Sequence, residues 1–280
     1  DDMNFTGITP DDYTLEDRWI LSRLQNLKSE VPANLDKYET GVALSKIYSF
    51  LWEEYCDWYI EICKARLNDK ENPSRRVAQS VLNKVLREAL QLLHPFMPFA
   101  TEALYSNLIH EDESIMVSAW PQPEPNLQFP DDEQAMISLM DAIREIRNVR
   151  TGLGVPPSRK ASLIVVAADP AVRDRFVNGT AFLQRLASVS TLETRADKAG
   201  IPLTAVTALF SGGEVYLPLA DLIDLDKEID RLTKEKDNLE KELARVSAKL
   251  DNAEFVGRAP EKVIQAERDK LSKYRDMLKN

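Results

Sequence analysis

Apolar positions in the first third of the chain recur at helical spacing. Ile20, Leu24, Leu27 and Val31 fall on one helix face. Thr14 followed by Asp17 has the form of a capping box ahead of that face, with Asp in place of Glu. A second helix is predicted over residues 40–66. Leu44, Ile47, Leu51, Tyr55, Trp58 and Ile62 make one stripe along it, and Trp52, Cys56, Tyr59 and Cys63 make another. A helix apolar on two faces belongs in the middle of a bundle. Asn72-Pro73-Ser74 opens a third helix carrying Val77, Val81, Val85 and Ala89, with Leu82, Leu86 and Leu93 on the adjacent row. Pro95 and Pro98 end it, and a fourth helix is predicted over 98–109.

The pattern then changes. Residues 121–130 read PQPEPNLQFP, and prolines at that density predict a linker and a domain boundary. A helix follows over 131–150, with Met136, Leu139, Met140, Ile143 and Ile146 inward. Residues 161–168, 189–195, 202–210 and 215–219 are strand-like, and 170–187 is helical with a break at Asn178-Gly179. Gly212-Gly213 reads as a hairpin turn. From Leu222 the period changes again. Leu222, Leu225, Ile229, Leu232, Lys236, Leu239, Leu243, Val246 and Leu250 step by three and four, which is a heptad seam with one polar position. Ile264, Glu267, Leu271, Tyr274 and Leu278 repeat the spacing after a loop over 252–260, predicting an antiparallel helical hairpin.

Composition narrows the reading. The 280 residues carry 46 acids and 36 bases, a net charge of −10. That balance excludes a broadly polycationic nucleic-acid binder but leaves room for local basic patches, because salt screens distant charge. Nine glycines are too few for an all-β fold dense in tight turns. Cys56 and Cys63 lie about 10 Å apart along one helix, too far for a disulfide, and read as reduced core residues of a cytosolic protein. No apolar run approaches the roughly 18 residues of a membrane span.

No catalytic motif stands out: there is no Walker loop, HExxH or CxxC. His94 and His110 read as helix-end or surface residues. Glu53, Glu54, Asp57 and Glu61 share a helix face and read either as a solvated stripe or as a magnesium site of a helical enzyme. Lys64, Arg66, Lys70, Arg75, Arg76, Lys84 and Arg87 face only Asp69 and Glu71 in the same stretch. Two readings fit, a phosphate-holding patch or a solvated helix corner. Arg144, Arg147 and Arg150 form a row down one helix, suited to packing against acidic neighbours. In the hairpin, Arg258 sits in the loop, and Lys262, Arg268 and Lys270 follow on the return helix.

Several segments resemble the valyl-tRNA synthetase family of class I aminoacyl-tRNA synthetases. The run Asp17-Arg18-Trp19-Ile20-Leu21-Ser22-Arg23-Leu24 is similar to the segment that follows the catalytic core in synthetases for branched aliphatic amino acids. Trp52-Glu53-Glu54-Tyr55-Cys56-Asp57-Trp58-Tyr59-Ile60-Glu61 and Leu92-Leu93-His94-Pro95-Phe96-Met97-Pro98-Phe99 resemble the helices that come next. Phe255 with Ala259-Pro260-Glu261-Lys262-Val263-Ile264 resembles the opening of the valyl-specific arm. The resemblance implies a mainly α fold. It would comprise an anticodon-binding helical bundle over 1–121 lacking the family's first helix, a small α+β subdomain over 122–220, and a coiled-coil arm over 221–280.

The family's HIGH-like and KMSKS-like motifs do not occur here, so the resemblance implies a C-terminal part with no catalytic site and no cofactor of its own. ATP and magnesium would belong to the catalytic domain. The implied partner is tRNA(Val), with no membrane and no DNA, in a monomeric cytoplasmic protein. The candidate contacts are Arg258, Lys262, Arg268, Lys270 and Phe255 in the arm, and Arg66, Arg75, Arg76, Arg147 and Arg150 on the body. A missing first helix would uncover apolar surface near the Trp52 and Tyr59 stripe or the Trp19 helix. The competing readings are a coiled-coil protein-interaction module without RNA binding and the magnesium-dependent enzyme.

Overall fold

The computed structural model describes residues 5–222, 225–251 and 260–277. Helix α1 (Leu15–Leu35) starts where Asp17 accepts the Thr14 N–H at 3.2 Å, the return half of the predicted capping box. It buries Trp19, Ile20, Leu24, Leu27 and Val31, and also Lys28, which is only 1% exposed. The next helical run is continuous but not uniform. Helix α2 (Thr40–Ser49) passes into a π-helical segment, Phe50–Ile60, and then into α3 (Glu61–Asn68). π turns are wider than α turns and usually occur singly, so a strict 3.6-residue stripe drifts across this segment. Tyr55, Trp58 and Tyr59 are buried, whereas Trp52 is 57% exposed and stacks on Tyr48. Along this helical run Tyr48 and Trp52 are thus uncovered, while Trp19 and Tyr59 are fully covered.

Helix α4 (Arg75–Leu93) packs Val77, Val81, Val85 and Ala89 into the same core. Helix α5 (Pro98–Tyr105) is shorter than its sequence pattern predicts. The Asn83 side chain takes over beyond it, accepting the Ile109 N–H at 2.9 Å and donating to the Ile109 carbonyl at 3.0 Å. The proline-dense stretch is a strap, not a free tether. Its prolines lack N–H groups, and two of the remaining donors are held by α1. Glu124 N–H donates to Gln25 Oε1 and Phe129 N–H to Ser22 Oγ, and Leu127 is buried. Helix α6 (Pro130–Gly152) follows and lies against α1, with Arg18 bridging to Asp132 at 2.9 Å.

Strand β1 (Ala161–Val166) leads through α7 (Pro170–Asn178) and α8 (Thr180–Leu186) to β2 (Val189–Arg195), and then come β3 (Ala205–Phe210) and β4 (Gly213–Pro218). The sheet order is β2-β1-β4-β3, parallel between β1 and β2 and antiparallel elsewhere. The β3–β4 turn needs glycine for space: a Cβ on Gly213 would sit 2.4 Å from the Val166 carbonyl oxygen. One continuous hydrophobic cluster runs from α1 through α6 to the sheet.

Helix α9 (Leu219–Leu222) is pinned to the start of β1. Arg159 donates to the Asp221 and Ala220 carbonyls, and Ser162 N–H donates to the Asp221 carboxylate at 2.9 Å. Helices α10 (Leu225–Asp251) and α11 (Glu261–Met277) then pack on each other. Val246 and Ile264 are buried in their seam, and Lys249 pairs with Glu267 across it at 3.6 Å. Lys236, the polar seam position, is exposed and pairs with Glu240 on its own helix.

Candidate nucleic-acid interface

Arg66 is a core residue. It is 7% exposed and forks onto Asp17, with both nitrogen–oxygen distances 2.8 Å, while also reaching Glu16, Thr14 and the Ser74 carbonyl. Tyr59 donates its hydroxyl to the same Asp17 carboxylate at 2.6 Å. Burial opposes the Arg66 charge, but Asp17 and Glu16 outweigh it and raise its pKa. Glu16 is pushed up by burial and by Asp17 beside it. A guanidinium held in this way presents no donor to an RNA phosphate, so the expectation for Arg66 is replaced by a structural role. Arg150 is likewise 6% exposed. It donates to the Pro156 and Arg159 carbonyls, and burial lowers its pKa.

The basic stretch on α4 is largely consumed inside the protein. Lys84 pairs with Glu88 and Glu124, each at 2.8 Å, and Lys28 meets the same two carboxylates from α1. Burial would raise the Glu124 pKa, but Lys84 and Lys28 outweigh it and hold the group low. Arg75 donates to the Leu67 carbonyl, and Arg76 is exposed and donates to the Thr6 carbonyl. Arg75 and Arg76 therefore stay at the surface, whereas Arg66 does not.

A different cluster forms where α6 and α8 meet the π-helical segment. The Arg144 and Arg147 guanidinium carbons lie over the buried Trp58 ring, 5.4 and 5.7 Å from its centroid. Arg147 Nε donates to the Leu186 carbonyl at 2.8 Å, and Arg185 Nη1 donates to the Ile62 carbonyl at 3.2 Å. All three side chains are exposed. Sequence spacing predicts that Arg144, Arg147 and Arg150 pack against acidic neighbours, but none of them pairs with a carboxylate among the described residues: Arg150 turns inward to backbone carbonyls, and Arg147 instead reaches the residue next to Arg185. A Trp one turn before Ile62 was the available signal, since indole faces attract guanidinium groups.

On the arm, Lys262, Arg268 and Lys270 are exposed on α11, and Lys270 pairs with Glu267 at 3.1 Å. At 3.6 residues per turn, Lys262 and Lys270 lie about 80° apart around the helix, and Arg268 lies about 120° from Lys262 and about 160° from Lys270. The three encircle α11; they do not share a face. Arg258 and Phe255 lie outside the described residues. Among the described residues no group of three His, Cys, Asp or Glu side chains could hold a metal ion. Glu54 of the acidic helix stripe is bound bidentately by Arg23, and Glu61 pairs with Lys64.

Sequence comparison places these surfaces in a family. A model described as the anticodon-binding domain of tRNA ligase matches residues 17–165, and one described as the valyl tRNA synthetase tRNA binding arm matches residues 224–280. The valine–tRNA ligase of Clostridium perfringens is 45% identical over 267 residues, covering 95% of this chain and 30% of that protein. That of Clostridium acetobutylicum is 44% identical over 96% of this chain, and that of Carboxydothermus hydrogenoformans 42% over 97%. The chain thus spans just under a third of the length of the curated relatives it matches. With the anticodon-domain match extending from α1 into β1 and the arm match taking in α10 and α11, the chain belongs to the valyl-tRNA synthetase family, of which it carries the anticodon-binding domain and the tRNA-binding arm.

Proposed function

We propose that this chain holds tRNA(Val) so that the acceptor end reaches the catalytic domain of a full-length synthetase, where ATP-dependent attachment of valine takes place. The observation that carries this reading is the pairing, on one chain, of an anticodon-binding domain and a valyl-specific arm. The chain's contribution is positioning, which converts a bimolecular encounter into an oriented one. ATP and magnesium act in the catalytic domain. We divide the labour as a helical bundle over 1–121, an α+β part over 122–220 and an arm over 221–280, in a monomeric cytoplasmic protein. No described helix is long and apolar enough to cross a membrane. Arg75, Arg76 and Arg147 on the body and Arg258, Lys262, Arg268, Lys270 and Phe255 on the arm are the proposed RNA contacts.

Filter binding tests the reading. The 280-residue chain is expected to retain tRNA(Val) better than an unrelated tRNA, and equal retention or none would overturn it. Valine-dependent ATP–pyrophosphate exchange by the same chain should not rise above a blank.

A further inference from the structure

Several cations of the helical bundle are matched to carboxylates. Arg18 has Asp132, Arg23 has Glu54, Lys28 has Glu88, Arg66 has Asp17, and Lys84 has Glu124. Arg144, Arg147 and Arg185 have no carboxylate, as Arg75, Arg159 and Arg173 have none, but Arg144 and Arg147 differ from those in sharing one indole face. None of the three forms an ion pair among the described residues. Their contacts are an indole face and two backbone carbonyls.

Crowding guanidinium groups without counter-charge is unfavourable by Coulomb's law. An arriving anion relieves that repulsion. The contacts that are present leave the cations exposed while restricting how they point. Arg147 is hydrogen-bonded through Nε, and its two terminal nitrogens make no hydrogen bond among the described residues. Arg185 uses only Nη1. A planar fork with unused donors matches the paired oxygens of a phosphate, and a guanidinium already oriented by an aromatic ring loses less freedom on binding.

We propose that Arg144, Arg147 and Arg185, set by Trp58 and by the Leu186 and Ile62 carbonyls, form a cleat for RNA backbone phosphates at the junction of the helical bundle with the α+β part. The cleat grips phosphodiester oxygens and reads no base, so it serves any tRNA that docks. Trp58 is a positioning residue: it orients two of the cations and is itself buried. This inference rests on the RNA-binding reading above.

Binding of tRNA(Val) and of an unrelated tRNA to the 280-residue chain, followed across a range of salt concentrations, is the test. Among the described residues Arg144 makes its ring contact and no hydrogen bond, so Arg144→Gln should fold and melt as the parent does. Arg144→Gln is expected to weaken both tRNAs about tenfold, as loss of a charge-assisted contact does. It should also lower the slope of log affinity against log salt by about 0.7–0.9. Arg144→Gln with Arg185→Gln should lower the slope about twice as far, and Arg144→Lys should restore it. Unchanged affinity and slope in the double variant would overturn the cleat while leaving the RNA-binding reading in place. A loss confined to tRNA(Val) at constant slope would also overturn it, because that is base readout. If the parent chain binds neither tRNA, the cleat and the reading beneath it fall together.

Discussion

Asp17 carries more of the fold than any residue of its kind in the bundle. Its two oxygens accept from Arg66, Tyr59 and Thr14, so one carboxylate joins the start of α1 to the π-helical segment and to α3. Removing Arg66 would strand that charge in the core. Arg66→Met is therefore expected to cost about 3–5 kcal/mol in urea unfolding, where an exposed arginine would cost almost nothing. The buried role was legible in hindsight. The stripe through Leu51, Tyr55, Trp58 and Ile62 steps on to position 66, so the arginine occupies the next core-facing site. Charge made it look like surface, because its partner lies 49 residues away in sequence. Lys28 was hidden in the same way, its partner Glu88 lying 60 residues away. Cys63 belongs to this core as well. Burial pushes its thiol from an ordinary 9.0 up to about 12. The folded state thus holds the proton more tightly, so this group's contribution to stability is intact below about pH 8.5 and fades as pH rises toward 12. Thiol titration of the native protein near pH 8 should modify Cys56 slowly and Cys63 hardly at all, with both reacting in denaturant. Fast reaction of both would mean the α1–α3 core is open.

Among the elements, local pattern located helices well and pairing poorly. The break at Gly179, the strand over 189–195 and the β3–β4 turn stand where sequence alone puts them. The strand order does not follow from chain order, because β1 sits between β2 and β4 and its neighbours arrive from distant segments. The π-helical segment was illegible for another reason. It arises from hydrogen-bond register, which residue type does not announce. Proline density predicts a linker and a domain boundary over 121–130, yet the side chains of Gln25 and Ser22 make that stretch part of the α1 surface. In the arm, Leu239, Leu243 and Leu250 are half-buried and burial is deepest at Val246 and Ile264, while the side chains of the seam positions Leu225, Ile229, Leu232 and Leu278 lie outside those described. Val246→Asp should therefore destabilise the α10–α11 pair by about 2–4 kcal/mol, the cost of an unpaired charge in an apolar seam. The readout is loss of helical circular dichroism on heating, and a variant that melts with the parent would put the seam elsewhere.

At the scale of the molecule, the surface that pattern reading marked as core is partly bare. Tyr48 and Trp52 stack with ring centroids 6.4 Å apart on the outside of the bundle. Met97, Phe99, Met116 and Val117 are a second set of exposed apolar side chains, with Met116 Sδ 3.0 Å from His94 Nε2. Contiguous apolar surface of this kind collects other molecules. The chain should bind a hydrophobic dye, and Trp52→Gln should reduce that binding with little change in melting temperature. Equal dye binding by the variant would assign the stickiness to the second group. The candidate RNA surface was only half visible from sequence. Spacing along one helix proposed Arg147 and Arg150 together, but the end of α6 turns Arg150 toward the Pro156 and Arg159 carbonyls. Arg185 joined the cluster through tertiary contact alone.

The pins on α9 have mechanical weight out of proportion to their size. A 27-residue helix such as α10 is about 40 Å long, so each degree of tilt at its base swings the far end by about 0.7 Å. Arg159 and Ser162 act at the short end of that lever, on Ala220 and Asp221. A few degrees of slack there becomes a displacement comparable to a hydrogen-bond length where the arm would meet its target. Substitutions at Arg159 or Asp221 would thus spoil the arm's aim without touching a single residue at its far end.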